Sequence, residues 1–247
     1  SHRAGLANEN LLDVFGHAGI KTEWWDNNTG SKGVAERTVY KSFSEANDPR
    51  FCKANECLDE GMVDQLDGWL KNVKQDSVLV LHQLGSHGPA YSQRHPPAFT
   101  RFVPECATSE LGSCSRDEIV NAYDNTILYT DHILASVIDI LKAHQDGIEP
   151  AMIYMSDHGE SLGEHGLYLH GAPYIVAPSQ QTHVPFVLWQ GFEMKADVDS
   201  ACVSARAVEP ASHDNLFHTA LGMMAIRTSV YEPKLDVLST CRKGANS

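Results

Sequence analysis

Apolar residues recur at helical spacing through Leu11, Phe15 and Ala18 and stop at Gly19. Residues 20–25 then read as a short strand that closes on the polar turn Asp26-Asn27-Asn28. A loop with Gly30, Gly33 and Pro49 leads to a second helical face marked by Met62, Leu66, Trp69 and Val73, and the run 77–81 (Ser-Val-Leu-Val-Leu) follows as a buried strand. From His82 to Cys114 the pattern breaks on Gly85, Gly88, Pro89, Pro96, Pro97 and Pro104; a loop of that length in a compact domain is usually functional. Ser115-x-x-Glu118 is a capping box, and Ile119, Tyr123, Ile127, Leu134, Ile138 and Leu141 carry a long helix to about Ala143. The runs 151–155 and 184–189 read as strands, and a last helix beginning near Ser212 or Asp214 is expected to bury Leu216, Ala220 and Met224.

Helices alternating with short continuous apolar runs imply one α/β domain over 1–247, with a mainly parallel sheet covered by helices on both faces. At 247 residues, 42% hydrophobic and 21% charged, the chain is long and apolar enough to bury one sizeable core. No run approaches the roughly 20 apolar residues of a membrane span. The opening Ser1-His-Arg-Ala-Gly5 has no apolar signal region, so an export signal or anchor is expected upstream.

A formal charge of −13 argues against general binding to nucleic acid or to anionic lipid headgroups, because the chain's own field repels polyanions. Six cysteines fall into the close pairs Cys52 with Cys57 and Cys106 with Cys114, leaving Cys202 and Cys241. Thiolate zinc sites show tighter, matched gaps, so disulfides and an oxidising compartment are the better reading, although six cysteines allow fifteen connectivities.

In such sheets ligands bind beyond the carboxyl ends of the strands. Three strand ends carry polar clusters, 26–28, 82–87 and 156–160, and are expected to converge. In Asp157-His158-Gly159-Glu160 a carboxylate beside an imidazole offers zinc an oxygen and a nitrogen ligand, and the glycine frees the backbone so that neighbours share one ion. The plain alternative is a helix-capping turn; the strand-end position favours the metal. His87 and His170 lie in glycine-containing loops and are candidates for phosphate oxygens or a second metal, against the alternative of surface histidines. Lys32, six residues past Asp26, offers a charge to phosphate.

Other residues are set aside. Cys202-Val-Ser-Ala-Arg206 approaches the sulfatase pattern Cys-x-Pro/Ala-x-Arg, but Ser204 breaks it. His183 reads as a strand-entrance residue, Asp124 and Asp131 as helix-surface residues, and His213 and His218 as flanking a helix start without ligand spacing. No phosphate loop, serine-esterase elbow or His-Glu-x-x-His helix occurs.

Taken in order, Trp25-Asp-Asn-Asn28, Ser31-Lys32-Gly33, Leu81-His82-Gln-Leu-Gly-Ser-His87-Gly-Pro89, Asn121-Ala-Tyr-Asp-Asn125 and Ser156-Asp157-His158-Gly-Glu-Ser-Leu-Gly-Glu164 through His170-Gly171 closely resemble the lipid A phosphoethanolamine transferases, the group that includes the mobile colistin-resistance enzymes. The resemblance covers most of the chain and the three cysteine pairs, Cys52–Cys57, Cys106–Cys114 and Cys202–Cys241. It implies an alkaline-phosphatase-like or sulfatase-like α/β sandwich at the periplasmic face of the bacterial inner membrane, tethered by N-terminal helices. It also implies transfer of phosphoethanolamine from phosphatidylethanolamine to lipid A through a covalent intermediate on a threonine. Zinc is then held by that threonine, a glutamate, and the pair matching Asp157 and His158, with Asn27, Lys32, His87, Glu160 and His170 on the substrate side, His87 and His170 also serving a further zinc ion. The family's threonine and glutamate match no position here and are expected upstream of Ser1. These 247 residues alone are therefore expected to be inactive and to expose an unpaired sheet edge. Two alternatives stand: a sulfatase-like phosphodiesterase or related phosphoglycerol or phosphoethanolamine transferase, and a non-catalytic metal-binding module.

Overall fold

The protein's architecture, seen in a computed structural model, is described over residues 6–53 and 56–243. Helix α1 (Leu11–His17) begins at Asn10, whose side chain accepts from Leu12 N while Asp13 reaches back to the Asn10 N–H. It buries Leu12 and Phe15 and turns at Gly19 into strand β1 (Lys21–Asp26). Strand β2 (Val39–Ser42) runs on into the one-turn helix α2 (Phe43–Ala46). Strands β3 (Cys52–Lys53) and β4 (Glu56–Cys57) form a hairpin closed by the Cys52–Cys57 disulfide. Helix α3 (Glu60–Leu70) stops short of the Val73 expected from the pattern, because Asn72 Nδ2 donates to Gly68 O and competes for the last carbonyls.

Strand β5 (Ser77–His82) pairs in parallel with β1, which pairs in parallel with β2, giving the order β2-β1-β5. Val78 and Val80 pack toward the core of α1, whereas Leu79 and Leu81 pack toward α3 and helix α4 (Arg116–Ala143), so both faces of β5 are covered. Strand β6 (Ala151–Met155) lies in a separate sheet, paired antiparallel with β9 (Phe186–Gln190). Between them come the small pair β7 (Ser161–Leu162) and β8 (Tyr168–Leu169) and helix α5 (Ser179–Thr182). Helices α6 (Phe192–Asp197), α7 (Ser200–Arg206) and α8 (Asp214–Met223) complete the chain, with Cys202–Cys241 tying α7 to the C-terminal segment and Cys106–Cys114 closing the end of the long loop. Met152 of β6 and Trp189 of β9 pack against the same α3–α4 core as Leu79 and Leu81 of β5, so α4 supports both sheets.

The buried face of α4 is not the stripe drawn from its large apolar residues. It runs through Ile119, Ala122, Asn125, Thr126, Tyr129, Ile133, Val137 and Leu141, whereas Ile127 is exposed. Polar Asn125 holds a core position there because its partner is the long loop's backbone, while Ala122 fits among Tyr91, Cys106 and Leu162. Asn125 Oδ1 accepts from the N–H groups of Arg101 and Phe102, and its Nδ2 donates to Phe102 O and Glu105 Oε2. On α8 the buried residues are likewise His218, Thr219 and Leu221, with Ala220 and Met224 only partly covered.

Candidate metal centre at the strand ends

The three strand-end clusters do converge. Asp26, closing β1, bonds His82 Nδ1 at 2.5 Å across the sheet, and Asn28 Nδ2 donates to Gln83 O. Burial alone would raise the Asp26 carboxyl, but bonds from His82, Trp24 Nε1 and the Gly30 N–H overcome it and hold the group below the ordinary carboxylate range.

Beneath these loops sits Asp59, buried and directly after the disulfide hairpin. Its Oδ1 accepts from Asn27 Nδ2 (2.8 Å) and Leu84 N (2.9 Å), and its Oδ2 from Gly85 N (2.9 Å). Burial pushes this carboxyl up, against the pull of those three donors and of the Arg94 charge. Asn27 also donates to Cys57 O, so its amide ties β1 to the hairpin, and its buried Oδ1 has no partner among the described residues. Arg94 continues the frame, pairing with Glu56 of β4 and donating from Nε to His87 O at 2.9 Å.

That frame delivers His87 to the end of β6. One ring nitrogen from each of His87, His158 and His170 lies within 4.8 Å of the others. The His158 and His170 rings stack at 4.0 Å between centroids, and His87 sits edge-on to both. Each Nδ1 faces an oxygen: Gly88 O for His87 (2.7 Å), Gly159 O for His158 (3.0 Å) and Glu160 Oε1 for His170 (3.1 Å). A proton on Nδ1 in each leaves the Nε2 lone pair for a ligand.

Glu160 is thus placed behind the cluster rather than in it. Its carboxylate is buried, Oε1 also accepts from Gly88 N at 3.1 Å, and Oε2 lies beside the buried Tyr91, whose phenol is pushed up first by burial and then by the Glu160 charge. Asp157 faces outward, its side chain 84% exposed, with Oδ2 3.8 Å from His158 Nε2, so the two share a side of the cleft. Gly159 has an ordinary φ; a side chain is forbidden for another reason. A Cβ there would meet Gln180 O at 1.9 Å, because the Gly159 N–H bonds Gln181 O and brings α5 hard against the loop. Lys32 folds back on Thr29, donating to its O and Oγ1, and makes no bond to the histidine cluster.

A cleft of about 330 Å³ opens beside Asp157, His158 and His170, and His213 lines it as well, donating from Nε2 to Ser156 O (2.9 Å). His213 has no ligand spacing in the sequence; only the fold brings the start of α8 to the end of β6. His218 is buried and accepts from Glu232 N, and His183 follows α5 rather than opening β9. Cys202 is in a disulfide. Asp59, Arg94 and Tyr91 carried no signal beyond the proximity of Asp59 to Cys57.

The donor set suits zinc: imidazole nitrogens with their second nitrogens oriented by oxygen acceptors, and a free carboxylate alongside. Zn–N bonds of about 2.0–2.1 Å set two nitrogens on one ion roughly 3.4 Å apart, and the three imidazoles stand within 4.8 Å of one another.

The sulfatase family matches residues 3–226. The chain is 44% identical over 238 residues to the phosphoethanolamine transferase EptA of Salmonella typhimurium, covering 95% of this chain and 44% of that protein. It is 44% identical over 188 residues to the phosphatidylethanolamine transferase Mcr-2 of Escherichia coli, covering 73% of this chain and 35% of that one. The soluble domain of lipooligosaccharide phosphoethanolamine transferase A from Neisseria meningitidis superposes with a TM-score of 0.92 at 41% identity, covering 95% of this chain and 71% of that domain. The chain therefore spans less than half the length of these curated relatives.

Proposed function

The chain belongs to the sulfatase family, in its phosphoethanolamine transferase branch, and we propose that it forms the metal-binding part of a periplasmic enzyme that moves phosphoethanolamine from phosphatidylethanolamine to lipid A. The observation that carries this reading is the gathering of His87, His158 and His170 at the strand ends with Asp157 beside them. In this reading Asp157 and His158 hold a zinc ion, and His87 and His170 take phosphoryl oxygens or a second ion. Bound there, zinc supplies Lewis-acid charge that activates a hydroxyl nucleophile and neutralises the phosphoryl group. Glu160 orients the His170 ring and fixes its tautomer; Arg94 and Asp59 fix the loop that carries His87. The nucleophilic threonine and a glutamate ligand come from an adjoining segment, in keeping with relatives more than twice as long.

The test extends the chain with its upstream segment and incubates it with phosphatidylethanolamine vesicles and lipid A. Mass spectrometry is expected to show lipid A gaining one phosphoethanolamine, lost in Asp157→Ala and His158→Ala. Turnover by the 247 residues alone, or by either variant, would overturn the proposal. Faster cleavage of simple phosphodiesters than of the lipid would assign the site to hydrolysis instead.

A further inference from the structure

Next to the cleft, the loop after His170 projects three consecutive apolar side chains into water. Tyr174, Ile175 and Val176 are 86%, 91% and 66% exposed, at the tip of a turn closed by Val176 N to Pro173 O. The root of the loop is pinned: Ala172 N donates to Gln181 Oε1, and the buried Gln181 donates to Ser161 Oγ. Tyr174 and Ala177 line the same cleft as His158 and His170. A second observation comes from the sequence. From His165 to Phe192 there is no Asp, Glu, Lys or Arg, in a chain that is 21% charged with a net −13.

A fixed loop root with an apolar tip is costly in water unless something covers it. The long charge-free stretch narrows what that is. An anionic bilayer repels the acidic remainder of this chain, whereas this stretch approaches a headgroup layer without like-charge repulsion. Tyrosine with aliphatic neighbours suits the boundary between headgroups and acyl chains, where the ring is buried and the hydroxyl stays wet. We propose that Tyr174-Ile175-Val176 is a bilayer contact that lodges at this boundary and brings a lipid phosphate to the histidine cleft. The inference deepens the transferase reading and rests on it for the identity of the lipid. Contact with the bilayer, however, depends neither on zinc nor on turnover.

The test uses the isotope-labelled chain with phosphatidylcholine–phosphatidylethanolamine bicelles carrying a doxyl-labelled lipid. Paramagnetic broadening is expected to be at least fivefold greater at the amides of 174–176 than at the exposed apolar residues Val39, Tyr40, Val208 and Val230. Ile175→Asp should abolish it and Ile175→Leu retain it, with unchanged thermal unfolding in both. Asp157→Ala, which tests the metal reading, should leave the broadening intact. Equal broadening over the surface, or none at the tip, would overturn the proposal. So would protection of the tip from a soluble relaxation agent in a longer chain without lipid, which would assign it to an intramolecular partner.

Discussion

Replacing Asp59 by alanine removes the acceptors of three donors on two loops at once, and the structure sets the size of the effect. Leu84 N and Gly85 N lose their partner and Asn27 Nδ2 loses one of its two, the other being Cys57 O, in a site closed to water. Stranding each donor costs roughly 1–3 kcal/mol, offset in part because a carboxylate no longer has to be buried, so Asp59→Ala is expected to destabilise by about 3–5 kcal/mol. Asp59→Asn is the informative control. Its amide oxygen keeps the two bonds made by Oδ1, while its NH₂ faces the Gly85 N–H, a single mismatch of about 1–2 kcal/mol. Urea unfolding with disulfides intact reads the difference: for a slope of about 3 kcal/mol per molar, the alanine midpoint falls by roughly 1–1.7 M and the asparagine midpoint by less than about 0.7 M. An alanine cost below about 1 kcal/mol, or an asparagine cost equal to it, would refute the role assigned to the carboxylate.

The remaining predictions concern the site and its walls. Glu160→Ala should weaken binding of the second zinc ion, at His87 and His170, by about 10–100-fold, by freeing the His170 ring, whereas Glu160→Gln retains an acceptor for Nδ1 and most of that affinity; equal affinity in wild type and the alanine variant would contradict the positioning role. Gly159→Ala should lower stability by about 1–3 kcal/mol because its Cβ meets the Gln180 carbonyl, and an unchanged thermal midpoint would refute the close approach. Asp26→Asn tests the pH dependence. A carboxyl held below its ordinary value of 3.8 contributes stability that is fully present above that value and is lost as pH falls through the lowered folded one. The variant should therefore be less stable than wild type at pH 7, with the gap closing below about pH 4; urea midpoints that stay equally separated down to pH 3 would contradict it.

What the sequence disclosed and what it hid follow from the range of the interactions. The capping box at Ser115 and the apolar run 77–81 are local, and spacing reveals them. So is the Asp157-His158 motif, because neighbours in sequence share a strand end. The place of Asp59 is not local: it looks like an ordinary residue before a helix, and its function arises only when the loops after β1 and β5 close over it. His213 reaches the cleft from 57 residues beyond Ser156, where no spacing rule applies. The buried face of α4 departs from the apolar stripe because Asn125 is buried against the loop backbone and Ala122 is a small residue inside a side-chain cluster, neither of which hydrophobic periodicity registers. The sequence reading of Gly159 had the right residue for the wrong reason, since closeness of a distant backbone, not φ, demands it.

The central claim is that this strand-end cluster holds zinc, and elemental analysis of protein purified without chelator tests it most directly. Wild type should carry near-stoichiometric zinc, with most of it lost in Asp157→Ala and in His158→Ala. Wild type empty of zinc both as the 247-residue chain and with its upstream segment restored, or undiminished zinc in both variants, would contradict the account.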